Sequence, residues 1–86
     1  MSSTDVRGQV REFISGRFPQ ITFDDDQDIF EMGFVNSLFA MELVMFVERE
    51  FGVRVPKTEL RRENFRSVTT ITEVIERVAA PTTTAG

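Results

Sequence analysis

Residues 38–51 contain neither Gly nor Pro and place Phe39, Leu43, Phe46, Val47 and Phe51 at i, i+4, i+7, i+8 and i+12, which is one face of a helix. The same stretch puts Leu38, Met41 and Met45 at i, i+3 and i+7 on a second face, with Glu42, Glu48 and Arg49 beside it. A helix apolar on two sides is either enclosed by the rest of its protein or binds something. Enclosure is hard to arrange here, because a domain of 86 residues buries only roughly 60–65% of its unfolded surface. Methionine suits an adaptable contact surface, so Met41 and Met45 either widen the core stripe or face a partner.

The flanking segments supply the rest of a helical fold. Residues 5–18 carry Val6, Val10, Phe13 and Ile14 at helical spacing, with Thr4 or Asp5 available as N-cap and Pro19 as the stop. Asn36 and Ser37 are capping residue types at the head of the central helix, Gly52 suits the left-handed residue that closes it, and Pro56 follows. Residues 58–62 are expected to form one short helical turn. Ser67 is placed to cap a last helix in which Val68, Ile71, Val74, Ile75 and Val78 form an apolar stripe, ending at Pro81. Residues 20–33 show no sustained period and read as a long ordered loop, and loops of that length in a compact domain are usually functional. The expected architecture is all-α: a four-helix bundle of three longer helices and one short one, a single domain over residues 1–86, ordered from about 4 to 80 with flexible termini. With 41% hydrophobic residues, nine Phe and no Cys, the core stands without disulfides.

Charge is unevenly distributed. From Asp24 to Glu50 there are eight acids (Asp24, Asp25, Asp26, Asp28, Glu31, Glu42, Glu48 and Glu50) against one base, Arg49, a charge of −7; the remainder holds six acids and nine bases, or +3. Such a segment repels nucleic acid and anionic membrane and favours a basic protein partner. No apolar run approaches the ~20 residues of a membrane span, and residues 1–10 lack a signal-peptide layout, so a cytoplasmic location is expected. The chain has no His and no Cys, and Lys57 forms no Ser-x-x-Lys spacing, which leaves no assembly for nucleophilic catalysis and predicts a protein that is not an enzyme. Asp24, Asp26 and Asp28 alternate as in a calcium loop, but the sixth position is Ile29 and the twelfth Val35, so no metal site is expected. Ser37, at a helix start, is ordinarily a cap; any further role would be as an attachment point for chemistry brought by others.

The run Asp28-Ile29-Phe30-Glu31-Met32-Gly33-Phe34-Val35-Asn36-Ser37-Leu38, then Glu42-Leu43-Val44, then Glu48-Arg49-Glu50-Phe51-Gly52-Val53-Arg54-Val55-Pro56 and Asn64-Phe65-Arg66-Ser67-Val68, resembles the acyl and peptidyl carrier family over about residues 5–80. The resemblance implies an acyl-carrier-type bundle and 4′-phosphopantetheine, received from coenzyme A, on Ser37, with Asn36 and Leu38 completing the attachment motif. It also implies the partners: a phosphopantetheinyl transferase, an acyl-loading enzyme, tailoring enzymes and a synthase. Leu38, Met41 and Met45 would be their apolar contacts and Glu42 and Glu48 their charge guides. A monomer is expected, with no nucleic-acid or membrane partner.

Asn36 stands where most of the family has Asp, which removes an anion but keeps the capping geometry. The stretch Val35 to Val44 resembles a subgroup of free-standing carriers for glycerate-derived three-carbon units, glyceryl and hydroxy- or methoxymalonyl, used in polyketide and antibiotic assembly. That similarity implies loading by a glyceryl transferase. A core crowded by Phe39, Phe46 and Phe51 is expected to leave little room for a long acyl chain. The alternatives are a fatty-acid-type or aminoacyl carrier, or a helical interaction module without a prosthetic group.

Overall fold

The computed structural model describes residues 3–79. Three α-helices, α1 (Ser3–Arg17), α2 (Ser37–Phe51) and α3 (Val68–Ala79), are joined by irregular chain, with no strand among the described residues. Val6, Val10 and Ile14 of α1, Leu43 and Val47 of α2, and Val68, Ile71, Val74 and Ile75 of α3 are all fully buried, so the apolar stripes meet in one core. Each such side chain contributes roughly 1.5–3 kcal/mol by leaving water. The other buried wall of α2 is aromatic. Phe13 of α1 stacks on Phe46 and Phe39, at 4.2 and 5.7 Å between ring centroids, and Phe18 meets Phe39 edge-on at 5.0 Å.

The helix ends follow local chemistry. Gly52 takes the left-handed conformation (φ 63°, ψ 33°) that closes α2. At α3, Ser67 Oγ accepts from the Thr70 N–H at 3.1 Å while Thr70 Oγ1 accepts from the Ser67 N–H at 3.1 Å, a reciprocal cap. Helix α1 begins earlier than the sequence suggests, so Thr4 and Asp5 lie inside it, and Asp5 serves as an anion in the first turn. Ser3, expected in the flexible tail, is also helical. The other expected tail residues, and the stop at Pro81, lie outside the described residues.

The expected fourth helix is not present as one element. Two separate 3₁₀ turns occupy its region, Lys57–Glu59 and Arg62–Asn64, and Arg61 between them is extended at φ −125°, ψ 145°. The physical reason is that this segment has no apolar stripe to bury: Leu60 is exposed and neither turn contributes a buried residue. Three-residue turns with i to i+3 bonds are what remains. They are fastened from outside instead. Arg77 of α3 donates to Glu59 at 2.7 Å, and that hydrogen bond, with the Arg77 and Arg61 charges, holds the Glu59 carboxyl below its ordinary range. The tie is complete above the unfolded carboxylate pKa of about 4.3 and is lost as pH falls through the lowered folded value.

The loop before α2 is ordered, as its sequence suggests, by insertion and by clamping. Phe23 and Ile29 enter the core. Asp25 accepts from Arg7 at 3.3 Å and Arg11 at 2.7 Å, its carbonyl accepts the Thr69 N–H at 3.0 Å, and the Ile29 N–H donates to the Arg66 carbonyl at 2.6 Å. The alternating aspartates have structural duties: Asp26 accepts from Thr69 at 2.6 Å, and Asp28 accepts the Phe30 and Glu31 N–H groups at 2.9 and 3.0 Å. This turn ends at Gly33, whose φ of 90° favours glycine, and delivers the chain to the head of α2.

Candidate functional site

Val35 is buried and anchors the approach to α2. Asn36 is extended (φ −121°, ψ −178°), its side-chain Oδ1 accepts the Phe39 N–H at 3.0 Å, and its carbonyl accepts the Ala40 N–H at 3.0 Å. Asn36 is therefore the N-cap. Ser37, read from the sequence as a capping residue, is instead the first helical residue, because the asparagine one position earlier already satisfies the third amide of the helix. The consequence is chemical. Ser37 is exposed, and its hydroxyl makes no hydrogen bond to any described residue. The Ser37 and Leu38 N–H groups likewise have no acceptor among the described residues, so two backbone donors and a helix dipole surround a free hydroxyl.

Beside Ser37 lies an open groove of about 560 Å³, walled by Phe30, Val35, Ala40, Val44 and Phe65, with Arg61 and Arg62 on the side of the 3₁₀ turns. The groove lies apart from the crowded aromatics. Phe39, Phe46 and Phe51 do crowd together, but Phe39 and Phe46 pack toward α1, whereas the groove opens on the opposite flank of α2. The crowded core thus does not set the space available next to the serine. Arg61 and Arg62 were not singled out by the sequence reading; the adjacent pair of bases in a chain of net charge −4 was the available signal.

Leu38, Met41 and Met45 are 71%, 55% and 54% exposed, so the two methionines do not widen the core stripe. They form one apolar strip along the outer face of α2, starting next to Ser37. The acids beside it are less free than the sequence suggests. Glu42 is paired with Arg17, and Glu48 Oε2 accepts the Val55 N–H at 2.9 Å, which holds the chain after Gly52 against the helix. Glu48 therefore has a structural duty, and reversing its charge would strip a backbone donor of its acceptor.

Comparison with known proteins shows the family to which the chain belongs. A family model described as a phosphopantetheine attachment site matches residues 6–78. The chain is 33% identical over 70 residues to the D-alanyl carrier protein of Streptococcus gordonii, which covers 80% of this chain and 89% of that protein. It is 31% and 33% identical, over the same lengths and shares, to the D-alanyl carrier proteins of Streptococcus sanguinis and Streptococcus thermophilus. No solved structure matches.

Proposed function

Because the chain belongs to the phosphopantetheine-attachment family of acyl carriers, with 4′-phosphopantetheine as its covalent prosthetic group, we propose that Ser37 bears that group and that the acyl unit is a small three-carbon one. The observation that carries the assignment of Ser37 is its free, exposed hydroxyl at the first position of α2, with capping left to Asn36. The residues present fit the group. The Ser37 and Leu38 amides have no acceptor among the described residues, so together with the helix dipole they would favour the negative charge of its phosphate. When bound, the prosthetic group supplies the thiol that a cysteine-free chain lacks and holds the acyl unit as a thioester. The chain's own residues bind, present and orient, and activation is left to a phosphopantetheinyl transferase and an acyl-loading enzyme. The chain acts as a monomer.

For the cargo, the similarity of residues 35–44 to glycerate-unit carriers supports a glyceryl group and its oxidised or methylated derivatives, delivered by a glyceryl transferase to a polyketide synthase. The D-alanyl carrier relatives support a second reading, an aminoacyl unit, which is also three carbons long. Intact-mass and peptide analysis of protein taken from its producing cells separates the two. A glyceryl-derived thioester on the Ser37 peptide is the expected result, and an alanyl thioester would establish the second reading. A long acyl chain would refute both cargo assignments and leave the carrier assignment standing.

The strip of Leu38, Met41 and Met45 is the surface we assign to partner enzymes, with Glu42 on its flank guiding approach electrostatically. These side chains are already exposed, so Leu38→Ser with Met45→Ser should leave the unfolding midpoint nearly unchanged. Losing roughly 1.5–3 kcal/mol per apolar contact should lower kcat/KM for acyl loading at least tenfold. Unaltered loading kinetics in the double variant would place the docking surface elsewhere.

A further inference from the structure

The basic residues on the groove have no assigned role. Residues 54–66 hold five bases, Arg54, Lys57, Arg61, Arg62 and Arg66, against two acids, Glu59 and Glu63, in a chain whose net charge is −4. Of those acids, Glu59 is paired with Arg77. Glu63 lies 3.6 Å from Arg61 with both side chains mostly exposed, a contact that water and salt screen strongly. Arg62 makes no ion pair among the described residues, and its guanidinium sits over the Phe30 ring, 5.1 Å from the centroid. Phe30 is a wall of the groove, so this contact holds the charge at the groove's edge.

Neighbouring like charges repel, and neither residue contributes to the core. Their backbone is nevertheless well defined. The Arg61 N–H donates to the Glu59 carbonyl at 2.9 Å, the Arg61 carbonyl accepts the Asn64 N–H at 2.9 Å, and the Asn64 side chain donates to the Glu59 carbonyl at 3.0 Å. Two guanidinium groups are thus carried on a braced turn and line the same groove as an exposed, unbonded serine hydroxyl. Guanidinium groups on an apolar floor are suited to oxyanions, which they bind through paired N–H donors at reduced competition from water.

We propose that Arg61 and Arg62 form an anion seat on this groove and bind the negative charge that modification of Ser37 brings to it, on the phosphodiester or on a carboxylate at the far end of the cargo. The proposal rests on Ser37 being the attachment point. It deepens that reading: a seat that binds the phosphodiester lays the arm along the groove whatever the cargo, whereas one that binds a terminal carboxylate selects carboxylated acyl units over neutral ones.

The test uses the full chain and a transferase that accepts coenzyme A, acetyl-coenzyme A and malonyl-coenzyme A, which differ only in what the thiol carries. Each product is compared between the native sequence and Arg61→Gln/Arg62→Gln by thermal midpoint, and in the native sequence the chemical shifts of the Arg61 and Arg62 Nε–H groups are followed as each arm is attached. A midpoint rise of a few degrees on attaching the unloaded arm, absent in the double variant and erased near 1 M salt, where the Debye length is about 3 Å, is the result expected for the phosphodiester. A rise and an Arg Nε–H shift confined to the malonyl product would assign the cargo carboxylate. Equal midpoint changes on attachment in the native and variant proteins for all three products, with no Arg Nε–H shift, would overturn the seat. Mass spectrometry of the same samples separates the two failures: no attachment at Ser37 overturns the site assignment and the seat together, whereas attachment without any dependence on the arginines overturns the seat alone.

Discussion

Ser37→Ala is expected to abolish phosphopantetheinylation completely while leaving the fold intact, and Asn36→Ala to do nearly the reverse. The geometry separates the two roles. The Ser37 hydroxyl is exposed and bonded to nothing in the described structure, so its removal deletes the attachment atom and no intramolecular contact, and stability should stay within about 0.5 kcal/mol. Asn36 accepts the Phe39 N–H at 3.0 Å, and loss of an N-cap costs about 1 kcal/mol, or roughly 4–8 °C in the midpoint of a domain this size. Asn36→Ala should therefore melt earlier yet still gain the prosthetic group, more slowly if cap loss frays the first turn of α2. Incubation with coenzyme A and a transferase, followed by intact mass and thermal unfolding, reads both quantities. Modification of Ser37→Ala at any other residue would place the site elsewhere, and an unchanged midpoint for Asn36→Ala would show that the cap is dispensable.

The second large effect is on stability. Leu43 is fully buried at the centre of the inner face of α2, so Leu43→Ala removes contacts on every side and leaves a cavity. Such truncations cost about 2–5 kcal/mol. A domain of 86 residues has a total stability of roughly 4–13 kcal/mol, so this one change should remove a substantial part of it. The urea midpoint should fall accordingly, with the slope unchanged if the native state stays compact. Met45→Ala, one half-turn away on the exposed face, should move the midpoint by no more than about 0.5 kcal/mol. A Leu43→Ala loss under about 1 kcal/mol, or equal losses for the two variants, would mean that the two faces of α2 are not divided as described.

That division was legible before any coordinates. The spacing of Phe39, Leu43, Phe46 and Val47 against that of Leu38, Met41 and Met45 is a property of helix geometry alone, and the structure buries the first set and exposes the second. Gly52 as the left-handed end of α2, Ser67 as the cap of α3 and the ordered loop before α2 were equally readable, since each depends on residues near in the chain. Less could be read of which capping residue does the capping. Asn36 and Ser37 are both suited to it, and only the backbone angles, set by the turn through Gly33 and the burial of Val35, give the task to asparagine and free the serine.

What the sequence by itself determined is the local part: three amphipathic helices, their ends, and a serine at the head of the two-faced one. Tertiary structure alone decided the rest. It divided the expected short helix into two 3₁₀ turns, bound Glu48 to the Val55 amide and Glu42 to Arg17, clamped Asp25 between Arg7 and Arg11, and set Arg61 and Arg62 on the groove beside Ser37. The physical reason is that helical periodicity and capping act within a few residues and can be read along the chain. The partner of a charge, or the wall of a groove, comes from segments far apart in sequence and exists only once the packed core has brought them together.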